Sequence, residues 1–221
     1  MNLKEAKEIT GGLSNPSKMP GYGYSLPVKY CRTGSRAYKT PGTVCSQCYA
    51  RKGRYVFKKV QEAMERRKLS LIHPRWLEAM KVLIEHYCKD VPYFRFHDSG
   101  DLQNLFHLDK IVKLCKELPD IKFWLPTLEI EIVKDYFFGD FPEPIPENLN
   151  IRLSTLMIDC LPDPDFVKEF GGNAITTSSV NTDISTYPKA IVCSATLEHG
   201  QCGDCRNCWD KSFRHVIYVK H

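Results

Sequence analysis

The chain has 221 residues, enough for one large domain that buries roughly 70 % of its unfolded surface. Hydrophobic residues make 43 % and charged residues 26 %, which excludes a disordered or fibrous chain. Lys and Arg outnumber Asp and Glu by 31 to 26, a net charge of +5, so a polyanionic partner is permitted but not required.

No apolar run reaches the roughly 18 residues of a membrane span. The first ten residues mix Lys4, Lys7, Glu5 and Glu8 without an apolar stretch, so no secretory signal is expected there.

Residues 11–29 are rich in Gly, Pro and Ser and read as loops around a short strand near 24–30. Over 54–70, Val56, Val60, Ala63 and Met64, continued by Leu71, recur near a 3.6-residue period and predict a helix. A second helix over 74–88 opens with Pro74 and carries Leu77, Met80, Leu83, Ile84 and Tyr87. Residues 93–97 read as a strand, followed by Asp98-Ser99-Gly100-Asp101. A helix over 104–118 aligns Leu105, Leu108, Ile111, Val112 and Leu118; Pro119-Asp120 ends it, and 121–125 is the next strand. Residues 128–137 suit a short helix, 141–146 a proline-rich connector and 150–154 a strand. Asp163-Pro164 reads as an N-cap and first-turn proline with Gly171 as the stop, giving a short helix at 164–170. Short strands are expected at 173–176 and 190–193, and a last one at 215–219.

Alternating strands and helices imply parallel βαβ units. With right-handed crossovers these form an open doubly wound sheet or a partial or complete barrel. Either way the functional face lies at the carboxyl ends of the strands. No repeat divides the chain. It reads as a single α/β domain, 1–221, with an N-terminal Cys-containing loop region at 11–55 and a C-terminal Cys-rich segment at 190–221.

The ten cysteines stand out. A chain without an export signal stays where disulfides are rare, and clustered cysteines there point to metal. Cys88 and Cys115 sit among apolar helix positions and read as core; Cys160 stands alone in a loop. The other seven form two groups. Cys45-x-x-Cys48, with Cys31 thirteen intervening residues earlier, lies among Arg32, Arg36, Lys39, Arg51, Lys52 and Arg54, and positive charge favours the thiolate. Cys202-x-x-Cys205-x-x-Cys208 is the tight run that wraps an iron–sulfur cube, with Cys193 as a fourth ligand. Paired CxxC units also suit zinc. A cube held by three thiolates leaves one iron open, whereas four close the site. One shared centre and two separate centres both fit the spacing.

His97, Asp98 and Asp101 follow a strand, on the expected functional face, and are candidate acid–base residues; the same residues make good turns. Thr176-Thr177-Ser178-Ser179 and Ser154-Thr155 read as strand-end capping. Arg51 to Lys68 holds eight basic residues against Glu62 and Glu65. With Tyr49, Tyr55 and Phe57 nearby, this is either a nucleic-acid grip or a solvated helix face. Trp209, next to Cys208, is expected to shield a metal site from water. No phosphate-binding glycine loop is present.

Leu13-Ser14-Asn15 with Lys18-Met19, Tyr24-Ser25-Leu26-Pro27, Cys31, Cys45-x-x-Cys48-Tyr49-Ala50-x-x-Gly53-x-Tyr55 and His97-Asp98-Ser99-Gly100-Asp101 together resemble the bacteriophage gene-product-88 family. That resemblance covers most of the first half and the late cysteine run. It implies phage origin, the cytoplasm of an infected bacterial host as location, and a host protein as candidate partner.

A more distant resemblance is to the radical SAM enzymes. It implies a partial (βα) barrel, with Cys31, Cys45 and Cys48 as cluster ligands after the first strand. It makes Ser99 and Gly100 the segment that grips the methionine amino group of S-adenosylmethionine, and the second cysteine group an auxiliary cluster. That family's motif is CxxxCxxC with an aromatic before the last cysteine; here the first interval is thirteen residues and Gln47 holds the aromatic's position.

The expected fold is therefore α/β, a radical-SAM-like partial (βα) barrel onto which the Cys-rich C-terminal segment closes. The expected function is [4Fe–4S] cluster binding with a redox or host-modulating role. The alternatives are a zinc- or cluster-stapled module for host protein or nucleic acid, and an active radical SAM enzyme.

Overall fold

One sheet of seven parallel strands organises the computed structural model, which describes residues 1–139, 144–170, 175–185, 191–196 and 198–220. The strands are β1 (Gly23–Tyr24), β2 (Tyr93–Phe96), β3 (Lys122–Thr127), β4 (Leu149–Ser154), β5 (Ile175–Asn181), β6 (Ile191–Val192) and β7 (His215–Val219). Their order is β1-β2-β3-β4-β5-β7-β6, every neighbouring pair parallel. From β1 to β5 each crossover moves one strand in the same direction. Right-handed crossovers then put the helices on one face; a doubly wound sheet reverses its order and covers both.

The helices are α1 (Leu3–Thr10), α2 (Arg32–Ala37), α3 (Lys58–Ser70), α4 (Trp76–Tyr87), α5 (Leu105–Glu117), α6 (Ile130–Phe138) and α7 (Pro164–Glu169). Among the described residues no helix is long and apolar enough to cross a membrane.

Alternation along the strands separates two surfaces. Phe94, Phe96, Phe123, Leu125, Leu149 and Ile151 are fully buried, in one core with Trp76, Met80 and Ile84 of α4 and Leu108, Ile111 and Val112 of α5. Burying each such side chain stabilises by about 1.5–3 kcal/mol. Cys88 and Cys115 belong to this core, as their helical setting predicts. The amide of Asn148 donates to the carbonyls of Cys115, Leu118 and Ile121 at 2.8–2.9 Å, tying the end of α5 to the start of β4.

Arg95, Trp124, Asn150 and Arg152 occupy the alternate positions, and the C-terminal segment packs against them. Trp209 donates to the Phe94 carbonyl (2.9 Å), Asn150 to the Cys208 carbonyl (2.9 Å), and Arg152 to the carbonyls of Asn207 and Phe213 (3.2 Å each). The Trp209 ring meets Trp124 at 5.1 Å and Tyr93 at 5.6 Å.

Several elements differ from the sequence expectation. The strand expected at 24–30 is only Gly23–Tyr24. Pro27 has no N–H for a ladder, and a 3-10 turn follows at Val28–Tyr30. Helix α1, capped by Asn2 and closed by Gly11, buries only Ala6 and Thr10, too few positions to show a period. The loop region 11–55 contains α2 and short 3-10 turns at Val44–Gln47, Tyr49–Arg51 and Gly53–Val56. Val56 lies in the last of these and is 54 % exposed, so the apolar stripe read through it does not form. Instead α3 buries Met64, Arg67 and Ser70.

The polar run 176–179 lies within β5, not at its end, and is buried. Its hydroxyls are satisfied there: Thr176 donates to Asn150 (2.7 Å), and Thr177 meets the His215 ring (2.8 Å). Positions 141–143, 171, 173–174 and 190, where parts of the expected connector, helix stop and strands fall, lie outside the described residues.

Candidate metal centres

After β1 the chain crosses the carboxyl ends of the next three strands. Leu26 N–H donates to the Ser99 carbonyl beyond β2 (2.7 Å). The Thr33 N–H and hydroxyl both donate to Glu129 beyond β3 (2.9 Å each). Val44 N–H donates to the Leu156 carbonyl beyond β4 (2.9 Å). Cys31 opens α2, and Cys45 and Cys48 bracket the turn that follows.

Gly34 lets α2 approach closely. A Cβ there would stand 3.0 Å from Cys31 Cβ, 3.5 Å from Cys45 Sγ and 3.8 Å from Cys31 Sγ. Burial pushes the Cys31 thiol up, and the charges of Asp101, Cys48, Glu129 and Cys45 add to the shift. The Cys45 thiol rises to about 11 through burial, Cys48 and Asp101, with Arg51 opposing. Three thiols thus share a neighbourhood with two buried carboxylates, a donor set suited to a cation.

Asp101 accepts from the Leu102 N–H (2.7 Å), the Thr127 hydroxyl (2.6 Å) and the Leu128 N–H (2.9 Å). Burial nonetheless pushes its carboxyl up to about 7. Asp98 accepts from Ser25 (2.6 Å), Ser14 (3.4 Å) and Tyr55 (2.9 Å), and its carbonyl accepts from the Tyr49 hydroxyl. Ser99 donates to the Leu26 carbonyl (2.9 Å), and Gly100 lies directly against Leu26. His97 is 3 % exposed, and neither ring nitrogen has a hydrogen-bond partner among the described residues. Its ring faces His107 of α5, 5.2 Å away. The sequence suggested an imidazole beside carboxylates; the ring instead hydrogen-bonds neither Asp98 nor Asp101.

The second cysteine group belongs to the chain packed on the sheet face opposite the α4 and α5 core. Cys193 follows β6, its N–H donating to Ile217 (2.8 Å), and Cys202 N–H donates to the Lys18 carbonyl (3.0 Å). Cys202 is within electrostatic reach of Cys193 and Cys205, and Cys208 within reach of Cys193. Burial pushes the Cys208 thiol up to about 11, against a Tyr218 hydrogen bond (3.2 Å between Sγ and the hydroxyl) and Arg152. Trp209 is 4 % exposed and packs with Cys208 and Trp124.

Cys160 is exposed. Among the described residues no three His, Cys, Asp or Glu side chains are arranged as ligands to one metal ion. The chemistry of the donor sets nevertheless fits thiophilic metal.

The basic segment divides. Lys52, Arg54, Lys58, Lys59 and Arg66 are exposed. Arg67 is buried, donating to the carbonyls of Gly12 (2.8 Å) and Leu13 (2.9 Å). Tyr49 and Tyr55 turn toward Asp98, their rings 5.7 Å apart, while Phe57 stays 61 % exposed. Sequence reasoning missed Arg95, Glu129 and Arg152. Glu129 carries a faint signal, a carboxylate just past a strand; the arginines carry none, because nothing in an alternating strand marks which face meets the cysteines.

No curated protein and no solved structure matches the chain. The family model for gene product 88 matches residues 1–211, and the chain therefore belongs to the gene product 88 family of phage proteins.

Proposed function

We propose that this chain is an iron–sulfur protein acting in the cytoplasm of the infected bacterium, with a redox or host-modulating role, on a partial (βα) barrel. Cys31, Cys45 and Cys48 would hold a [4Fe–4S] cluster; Cys193, Cys202, Cys205 and Cys208 would hold a second. The supporting observation is the sorting of the thiols: Cys31, Cys45 and Cys48 lie within electrostatic reach of one another and of Asp101 and Glu129, while Cys202 lies within reach of Cys193 and Cys205, and Cys208 within reach of Cys193. Cys88 and Cys115 stay in the core, and Cys160 stays exposed.

A cluster bound by three thiolates supplies one iron open to a substrate or small ligand. Around it Glu129 anchors the Cys31 loop through Thr33, and Asp101 holds the chain after β3 through the Thr127 hydroxyl and the Leu128 N–H. Tyr49 and Tyr55 fix the loop after β2 through Asp98. The radical SAM chemistry implied by the distant resemblance is tested by adding S-adenosylmethionine to the reduced protein and assaying its cleavage.

Anaerobically purified protein should be brown and carry iron with acid-labile sulfide. Cys48→Ser and Cys205→Ser should each lose about half of the iron, because each breaks one of two centres. Colourless protein carrying zinc, or complete iron loss in both variants, overturns the two-cluster reading.

Exposed Lys52, Arg54, Lys58, Lys59 and Arg66, beside exposed Phe57, favour a second reading, a metal-stapled module that grips nucleic acid. Retention on immobilised nucleic acid should then weaken with salt and fall about tenfold or more in a Lys58→Glu/Lys59→Glu/Arg66→Glu variant. Arg67 must be left in place, because it holds Gly12 and Leu13. Unchanged retention removes this reading.

A further inference from the structure

The two cysteine groups differ in their electrostatic surroundings. The group at 31–48 feels Asp101 and Glu129, with Arg51 opposing them at Cys45. The C-terminal group faces arginines: Cys208 feels Arg152 and Arg95, and Cys202 feels Arg95 and Arg206. Arg152 is fully buried, and its terminal nitrogens donate to the carbonyls of Thr177, Asn207 and Phe213 (2.8–3.2 Å). Arg95 stacks over Trp124 at 4.2 Å and reaches Met19 and Tyr49 (3.3 Å each).

Neither arginine forms an ion pair with a described carboxylate. Asp98 is within electrostatic reach of Arg95, but its oxygens accept from Ser14, Ser25 and Tyr55. Nε of Arg95, Nε of Arg152 and Nε1 of Trp124 are buried N–H donors without an acceptor among the described residues. A fully buried Arg152, a half-buried Arg95 and three idle donors on the sheet face that carries Cys208 are costly alone. A divalent core bound by four thiolates is a dianion, whether zinc(II) or an oxidised [4Fe–4S] cluster, and its sulfur atoms accept hydrogen bonds.

We propose that Cys193, Cys202, Cys205 and Cys208 hold their metal as four thiolates in a dianionic centre whose charge is balanced by Arg95 and Arg152. The inference rests on the metal-centre reading above and adds positioning residues to it. Arg152 also ties the metal-bearing segment to β4 through Asn207 and Phe213, so the cation that balances the charge also docks the segment.

The test uses full-length Cys48→Ser protein, in which the other centre is broken, prepared anaerobically. Arg95→Met and Arg152→Met should release the remaining metal to a chelator about tenfold faster or more. Arg95→Lys and Arg152→Lys should recover most of the retention, because the charge returns. If iron is bound, the Met variants should also lower its midpoint potential, because a dianion gaining an electron loses a balancing cation. Arg95 makes no hydrogen bond to the segment's backbone, so Arg95→Met reports charge even if Arg152→Met unfolds, which circular dichroism detects. Equal release from parent and Arg95→Met, or Lys variants no better than Met, overturns this inference and leaves the metal-centre reading intact. A parent that binds no metal overturns both.

Discussion

Gly100→Ala is expected to destabilise the fold by about 3 kcal/mol or more. Gly100 has φ +84°, and a Cβ there would stand 2.5 Å from Leu26 Cβ and 2.7 Å from the Leu26 carbonyl oxygen. The left-handed backbone alone costs an L-residue roughly 1–2 kcal/mol. The clash adds more, because the contact is with backbone that cannot swing aside. It would part the pairing of Leu26 with Ser99, which joins the loop after β1 to the loop after β2, and so disturb the path into the Cys31 loop. Gly12→Ala is the control: its φ is +77°, with nothing within 4 Å of the added atom. Chemical denaturation of both variants separates clash from backbone preference. A Gly100→Ala loss no larger than that of Gly12→Ala would contradict this account.

Acid should weaken the protein more steeply than its surface charge suggests. Burial holds His97 well below the ordinary histidine range and His107 at about 3, with His107 and Arg95 opposing charge on His97, and Lys110 and Lys68 opposing it on His107. Both rings stay neutral in the fold, while the unfolded chain takes up two protons as pH falls through about 6.5. Their stabilisation is complete above that pH and is lost below it. Asp101 acts in reverse: its folded pKa of about 7 lies above its unfolded value, so it adds stability as pH falls below 7. The sum peaks near pH 7 and falls by about 2 kcal/mol by pH 4.5. His215, held at about 4 mainly by burial but half-buried, steepens the fall modestly. His107→Phe should nearly flatten this limb relative to the parent. Any acid release of metal is common to both proteins, so the difference in slope is the readout. Equal slopes would show that His107 does not stay neutral.

The elements readable in the sequence are those whose pattern is local. The helices Trp76–Tyr87 and Leu105–Glu117 and the strand His215–Val219 fall where expected to within about two residues, because long apolar periods and short β-branched runs identify themselves. Leu3–Thr10 escaped because two buried positions make no period. The strand Ile175–Asn181 was read short because its hydroxyl-rich run resembles a turn; pairing with Asn150 and His215 makes those hydroxyls tolerable in a buried strand. The candidate site was half legible. Cys31, Cys45, Cys48 and the C-terminal run were singled out by spacing, and Ser99 and Gly100 by the distant radical SAM resemblance. Tyr49 and Tyr55, stacking groups in one of the two readings of the basic segment, both hydrogen-bond Asp98, with Tyr49 still 51 % exposed.

The linear chain determined the family, the alternation of strands with helices, and the grouping of thiols into three and four, since all of these are written in short-range residue order. Only the folded arrangement decided that the strands run in unbroken order from β1 to β5 with the C-terminal segment packed on the face opposite the core. It alone set carboxylates beside one thiol group and arginines beside the other. Charge acts through space, and Arg152 lies 55 positions from the residue whose carbonyl it holds; separation of that order leaves no local trace for sequence to show.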